Sequence, residues 1–219
     1  MEATVAANMR KRKQTLMGQA FSLAGIRVLP YPGNRLLLVL GSSYQGQYFD
    51  KRYHIWLETD KGATNKLRVF KHTVPYFIPI KQLEEQHLAK NIRYFVRAVS
   101  LYMNAFVARR GQVVELNRQA DIESVETSAA FDYVCFSFAS GQHGQVQVNL
   151  KFDLMRTRPS EVEATFMTPL KTRNKSVRES EARERREWKQ RVEALMRSHP
   201  LVEAYTQLFA LVPDTSVLY

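Results

Sequence analysis

The chain has 219 residues, carries 32 Lys and Arg against 21 Asp and Glu for a formal net charge of +11, and is 45 % apolar and 11 % aromatic. That composition excludes a disordered polyelectrolyte, because there is enough apolar surface to offset the conformational entropy lost on folding. At roughly 150 residues per domain, the length allows one large domain or two small ones. Cys135 is the sole cysteine, so no intramolecular disulfide can form and a reducing compartment fits. The longest apolar run, residues 36–40, is far shorter than the ~20 residues that span a bilayer, and no signal-peptide pattern opens the sequence, so a soluble intracellular protein without membrane contact is expected. By itself the positive excess favours an acidic partner, whether nucleic acid, an acidic protein face or an anionic membrane surface, without deciding among them.

Residues 6–23 place Met9, Leu16, Met17 and Phe21 among Arg10, Lys11, Arg12 and Lys13, which suits a basic helix or arm ending at Gly25. Two β-rich stretches, 26–40 and 48–59, follow, broken by turn sequences around Pro30 to Gly33 and Gly41 to Gly46. Tyr53, Ile55 and Leu57 alternate with Arg52, His54 and Trp56, a half-buried strand. Residues 66–72 repeat the pattern. Pro75 and Pro79 then bracket Tyr76, Phe77 and Ile78, and two residues without an N–H predict a rigid extended crossover. From Lys81 the period changes, and Ile92, Phe95, Val96, Val99, Met103 and Phe106 share one face of a helix of about four turns before Gly111.

The acidic stretch 120–130 reads as a junction between halves. Strands return at 131–138, 145–155 and 161–166, with hairpin connections. A charged helix over 177–197 carries Trp188, Val192, Leu195 and Met196 on one side, Pro200 interrupts, and 201–211 forms a last helix. Strands and helices come in batches, which argues against alternating βαβ units. The fold class expected is α+β, as two tandem domains at 25–119 and 120–219, each a meandering antiparallel sheet packed on helices, after a basic helix or arm at 1–24.

No phosphate loop, dinucleotide fingerprint or metal-ligand spacing stands out, and the five histidines are scattered, so no cofactor, metal or small-molecule substrate is expected. Cys135 lies mid-strand among aromatics, where a thiol packs rather than reacts; no His-Pro-Asn tripeptide precedes it, as a ubiquitin-conjugating enzyme would require. Arg10, Lys11, Arg12 and Lys13 could contact phosphates weakly, without sequence readout, or form a solvated arm. The cations of 171–191 fall three or four residues from Glu179, Glu181, Glu184 and Glu187, a self-paired helix face. Trp56, opposite Ile55 and Leu57, is a partner anchor or lies under a helix; Trp188 is a second candidate for a partner interface. The densest string, residues 67–80, reads as a core element, with Phe77 and Ile78 plugging the sheet–helix junction while His72 and Thr73 satisfy backbone groups.

His72-Thr73-Val74-Pro75-Tyr76-Phe77-Ile78-Pro79-Ile80, followed by Leu83, Leu88, Phe95, the Met103-Asn104-Ala105 helix segment and the Arg109 to Gln112 ending, resembles the CENP-O family of inner-kinetochore proteins. The family string runs His-Thr/Ser-x-Pro-x-Phe-Ile-Pro-Leu, then Leu/Met-Asn-Ala and Arg-x-x-Gln. The match is specific over residues 48–116 and more diffuse beyond. The resemblance implies a tandem RWD architecture without enzymatic activity, and makes His72, Thr73, Pro75, Phe77, Ile78, Pro79, Asn104 and Gln112 structural motif positions. It further implies a scaffold that pairs with the tandem-RWD protein CENP-P and joins CENP-Q and CENP-U, counterparts of the fungal COMA complex, at nuclear centromeres during chromosome segregation. Family members carry a longer N-terminal coiled-coil segment than residues 6–23, so contacts through it are expected to be lacking here, or the sequence to be a shortened form; Ile80 replaces the usual leucine. A basic nucleic-acid-binding protein is the alternative expectation.

Overall fold

The structure is a computed structural model that describes residues 25–33, 35–41, 43–44, 47–48, 52–59, 66–140, 144–169 and 175–210. It is α+β, with two four-stranded antiparallel sheets, each a meander in sequence order. The chain divides into two compact units at residues 104 and 105.

The first sheet orders β1 (Ile26–Tyr31), β2 (Arg35–Leu40), β5 (Tyr53–Thr59) and β6 (Leu67–His72), with a small hairpin of β3 (Ser43–Tyr44) and β4 (Gln47–Tyr48) between β2 and β5. Alternation along the strands sends Leu38, Leu40, Ile55 and Leu57 to one face, where all are buried. Pro30 sits within β1 without breaking the sheet, because β1 is an edge strand and the missing N–H removes no ladder bond. A helical turn α1 (Ile80–Leu83) widens into a π-turn (Glu84–Leu88), and α2 (Ile92–Leu116) follows. The Asn91 side-chain oxygen accepts the Arg93 N–H at 2.8 Å and starts α2. Ile80, Leu83, Leu88, Phe95, Val96, Val99 and Met103 then cover the buried sheet face.

α2 runs for 25 residues, about seven turns, well past the predicted end at Gly111. A mid-helix glycine costs only about 1 kcal/mol relative to alanine, and Val113 and Leu116 beyond it are buried in the second core, which outweighs that cost. The acidic stretch predicted as a junction instead supplies β7 (Ile122–Thr127), whose Ile122 and Val125 lean on the second core while its glutamates stay exposed. β8 (Tyr133–Ser140), β9 (Gly144–Lys151) and β10 (Glu161–Phe166) complete that sheet. Its buried face carries Val134, Phe136, Phe138, Val146, Val148 and Leu150, all fully buried, under α3 (Lys175–Ser198) and α4 (Leu201–Ala210).

No described helix is long and apolar enough to cross a membrane.

Candidate functional site

The string between β6 and α2 is compact rather than extended. The Ile78 N–H donates to the Pro75 carbonyl at 3.1 Å, closing a turn over residues 75–78, and the Ile80 N–H donates to Ile78 O at 2.8 Å across Pro79. Pro79, at φ −78° and ψ 66°, adopts the inverse γ conformation. The fixed proline φ that suggested an extended segment serves two successive turns equally well, and the turns bury Val74 and Ile78 together while Tyr76 stands 84 % exposed. Phe77 packs half-buried on the same core. Thr73 is bonded to β5 twice: its N–H donates to His54 O at 2.9 Å, and its hydroxyl oxygen accepts the His54 N–H at 2.8 Å. The His72 ring nitrogen Nδ1 lies 3.2 Å from the Val74 carbonyl, which can only accept, so the Nδ1–H tautomer bonds there.

The second polar constellation lies on α2. Arg109, one turn beyond Phe106 and one before Val113, falls on the apolar stripe and is 1 % exposed. Its Nη1 donates to the carbonyls of Asp153 (3.2 Å), Leu154 (3.1 Å) and Arg156 (2.7 Å), and its Nη2 to Ala130 O at 3.1 Å. One guanidinium thus ties the β9–β10 connection to the loop before β8. Burial holds its pKa below the ordinary arginine value, opposed by the nearby Asp132 carboxylate. That loop contains Phe131 at φ 51°, a left-handed backbone unusual for a bulky residue, and the Ser128 hydroxyl bonds both the Asp132 and Tyr133 N–H groups beside it. Gln112, three residues after Arg109 and 6 % exposed, accepts the Leu201 N–H at 2.8 Å through its side-chain oxygen and so caps the first turn of α4. Its amide nitrogen points to Thr157 O at 3.5 Å.

The remaining sequence candidates are dispersed. Asn104 is exposed on α2. Trp56 is half-buried on the face of the first sheet opposite its helices, with Tyr31 edge-on at 6.5 Å, His54 at 5.6 Å and the Lys71 ammonium over its ring at 5.7 Å. Trp188, half-buried on α3, packs against Phe138 (6.2 Å) and Phe166 (5.5 Å) at the margin of the second core. Arg10, Lys11, Arg12 and Lys13 lie outside the described residues. Cys135 is buried and its sulfur accepts from the Gln147 amide at 3.0 Å. Among the described residues no three His, Cys, Asp or Glu side chains gather to hold a metal. Arg109 escaped the sequence reading as a site residue, although the signal was there: a lone cation on the apolar stripe of a helix. Tyr31 and Phe70, which share the sheet face with Trp56, were hidden because pairing across strands is not written in any one strand.

Fold and site together define a two-unit α+β chain whose two largest buried polar side chains among the described residues, Arg109 and Gln112, hold backbone rather than face a cleft. Residues 33–204 match the family described as "Cenp-O kinetochore centromere component", and the chain belongs to that family. Among individual relatives it is similar to the Centromere protein O of Gallus gallus, 33 % identical over 101 residues, which is 46 % of this chain and 29 % of the relative. The Homo sapiens protein of that name is 30 % identical over 88 residues, 40 % of this chain and 27 % of the relative; for Xenopus tropicalis the identity is 26 % over 77 residues, 35 % and 24 %. The aligned stretch thus spans less than a third of each relative's length. Family membership places the chain at the kinetochore of the centromere, within the nucleus.

Proposed function

We propose that this chain is a non-catalytic structural subunit of the inner kinetochore, built from two RWD-like modules and pairing with a CENP-P-like tandem-RWD protein. CENP-Q- and CENP-U-like subunits join that pair in a COMA-type assembly, which scaffolds the constitutive centromere-associated network. The observation that carries this reading is the use of buried polarity: Arg109 and Gln112 are spent on carbonyls and a helix end, so they hold loops in place, and among the described residues no reacting group converges with them. In this reading 25–119 and 120–219 are the modules, following the basic N-terminal residues 1–24, and the C-terminal half of α2 packs in the second core. His72, Thr73, Pro75, Phe77, Ile78, Pro79, Asn104 and Gln112 keep structural roles. Trp56 is the stronger interface candidate, because Trp188 is already partly spent on Phe138 and Phe166.

The test is retention of partners by the tagged chain from nuclease-treated nuclear extract, washed at low and then high salt and read by mass spectrometry. Equimolar retention of a CENP-P-like protein at high salt is expected, since an apolar interface survives salt whereas phosphate contacts weaken steeply. Loss of all partners on nuclease or salt treatment overturns the heterodimer and moves Arg10 to Lys13 and nucleic acid to the front.

A further inference from the structure

We propose that the outer face of the first sheet docks an acidic segment of a partner protein carrying at least two large apolar side chains. Alternation along the strands puts Leu29 and Tyr31 of β1, Leu37 of β2 and Trp56 of β5 on the face turned away from α1 and α2. In β6 a bulge opposite Trp56 and Leu57 inserts Phe70, and the Arg35 guanidinium 4.0 Å over its ring places Phe70 on the same face. Leu29, Tyr31 and Phe70 are 44 %, 43 % and 52 % exposed. Isolated exposed apolar residues need no explanation, but a contiguous group around a tryptophan marks an interaction surface.

Charge decides the occupant. Arg27, Arg35, Arg68 and Lys71 accompany this patch, and Glu58 is its one carboxylate among the described residues. Glu58 pairs with Arg35 at 3.2 Å and Arg68 at 2.8 Å, which leaves an excess of positive charge around the aromatics. A second copy applied through this face would bring like charges together, since a two-fold interface sets each patch against itself. A segment bearing Arg10, Lys11, Arg12 and Lys13 has the same wrong sign. Single-stranded nucleic acid has the right sign but needs open aromatic faces for its bases. Here Lys71 lies over Trp56, Arg35 lies over Phe70, and the aliphatic Leu29 and Leu37 offer nothing to stack on. Carboxylates on a peptide can meet the rim cations while its apolar side chains cover Trp56 and Leu29, leaving the cation–ring contacts intact. The inference does not depend on the CENP-P-like pairing, which could use another surface.

The test is selection of displayed random peptides by the full chain, followed by affinity measurement on the selected sequences by fluorescence anisotropy at physiological salt. Acidic peptides with two or more large apolar residues are expected. Their affinity should fall at least about tenfold in Trp56→Ala and, separately, in Arg27→Glu/Lys71→Glu, both checked for an unchanged unfolding curve. Exchanging the peptide's acidic residues for lysine should restore binding to the charge-reversed variant alone. Selection of neutral or basic peptides overturns the proposal. So does binding that both variants leave unchanged, or displacement of the peptide by an oligothymidine.

Discussion

Replacing Arg109 by methionine keeps much of the side-chain volume and removes all four bonds that the guanidinium donates. Each bond from a charged donor contributes about 1.5–3 kcal/mol, and each buried carbonyl left without a partner costs about 1–3 kcal/mol. Desolvation of the guanidinium, reflected in its lowered pKa, opposes the gross sum by several kcal/mol. The net expectation is a loss of about 3–5 kcal/mol, the usual cost of removing one side of a buried charged interaction. Urea unfolding of the full chain in a Trp56→Phe background isolates the second unit, because Trp188 is then the only tryptophan and rests on Phe138 and Phe166. With a slope of about 1–3 kcal/mol per molar urea, the midpoint should drop by about 2 M. Arg109→Lys should recover less than half of the loss, since one ammonium cannot reach both Ala130 O and the carbonyls of 153–156. A change under about 1 kcal/mol in Arg109→Met, or a more stable variant, would refute the assignment of Arg109 as the tie between the two loops.

Gln112→Ala should cost about 1 kcal/mol and speed amide exchange in the first turn of α4, because the Leu201 N–H loses its acceptor; unchanged exchange there would remove the capping role. Gly144→Ala should destabilise by about 1–3 kcal/mol, measured by thermal unfolding, since Gly144 sits at φ 75° and a Cβ would lie 2.6 Å from the Thr168 hydroxyl, which accepts the Gln145 N–H. Burial, with Asp121 adding to it, pushes the Tyr205 phenol well above its ordinary value. The unfolded chain therefore ionises this tyrosine first, and stability present below pH ~10 should fall by up to about 1.4 kcal/mol per pH unit above it. Tyr205→Phe should flatten that decline in urea titrations across pH 9–12, and identical slopes would show that other groups cause it. Native Cys135 should alkylate orders of magnitude more slowly than the urea-unfolded chain, as a buried thiol must wait for opening.

The strands and helices were largely legible because periodicity records burial. Alternation in Tyr53 to Leu57 and the spacing of Ile92 to Met103 each reflect one buried face, and the structure buries those faces. Breaks in local patterns were weaker guides. Gly111 signals a helix end only while its neighbours are considered alone, and the acidic residues near 123 signal a junction only while the inward Ile122 and Val125 go unweighed. The proline string shows the same limit, because a fixed φ is shared by extended chain and tight turns, and the hydrogen bonds that distinguish them arise with the fold.

The sequence by itself thus determined the α+β class, the meandering sheets and, through the string from His72 to Gln112, the family. Tertiary structure alone decided that α2 would serve two cores, that Arg109 would reach carbonyls more than forty residues away, and that Tyr31, Trp56 and Phe70 would meet on one open face. The physical reason is that periodicity states which side of an element is apolar, whereas the partners of a buried cation and the neighbours of an exposed ring are set by strand register and loop geometry, which depend on the packed chain.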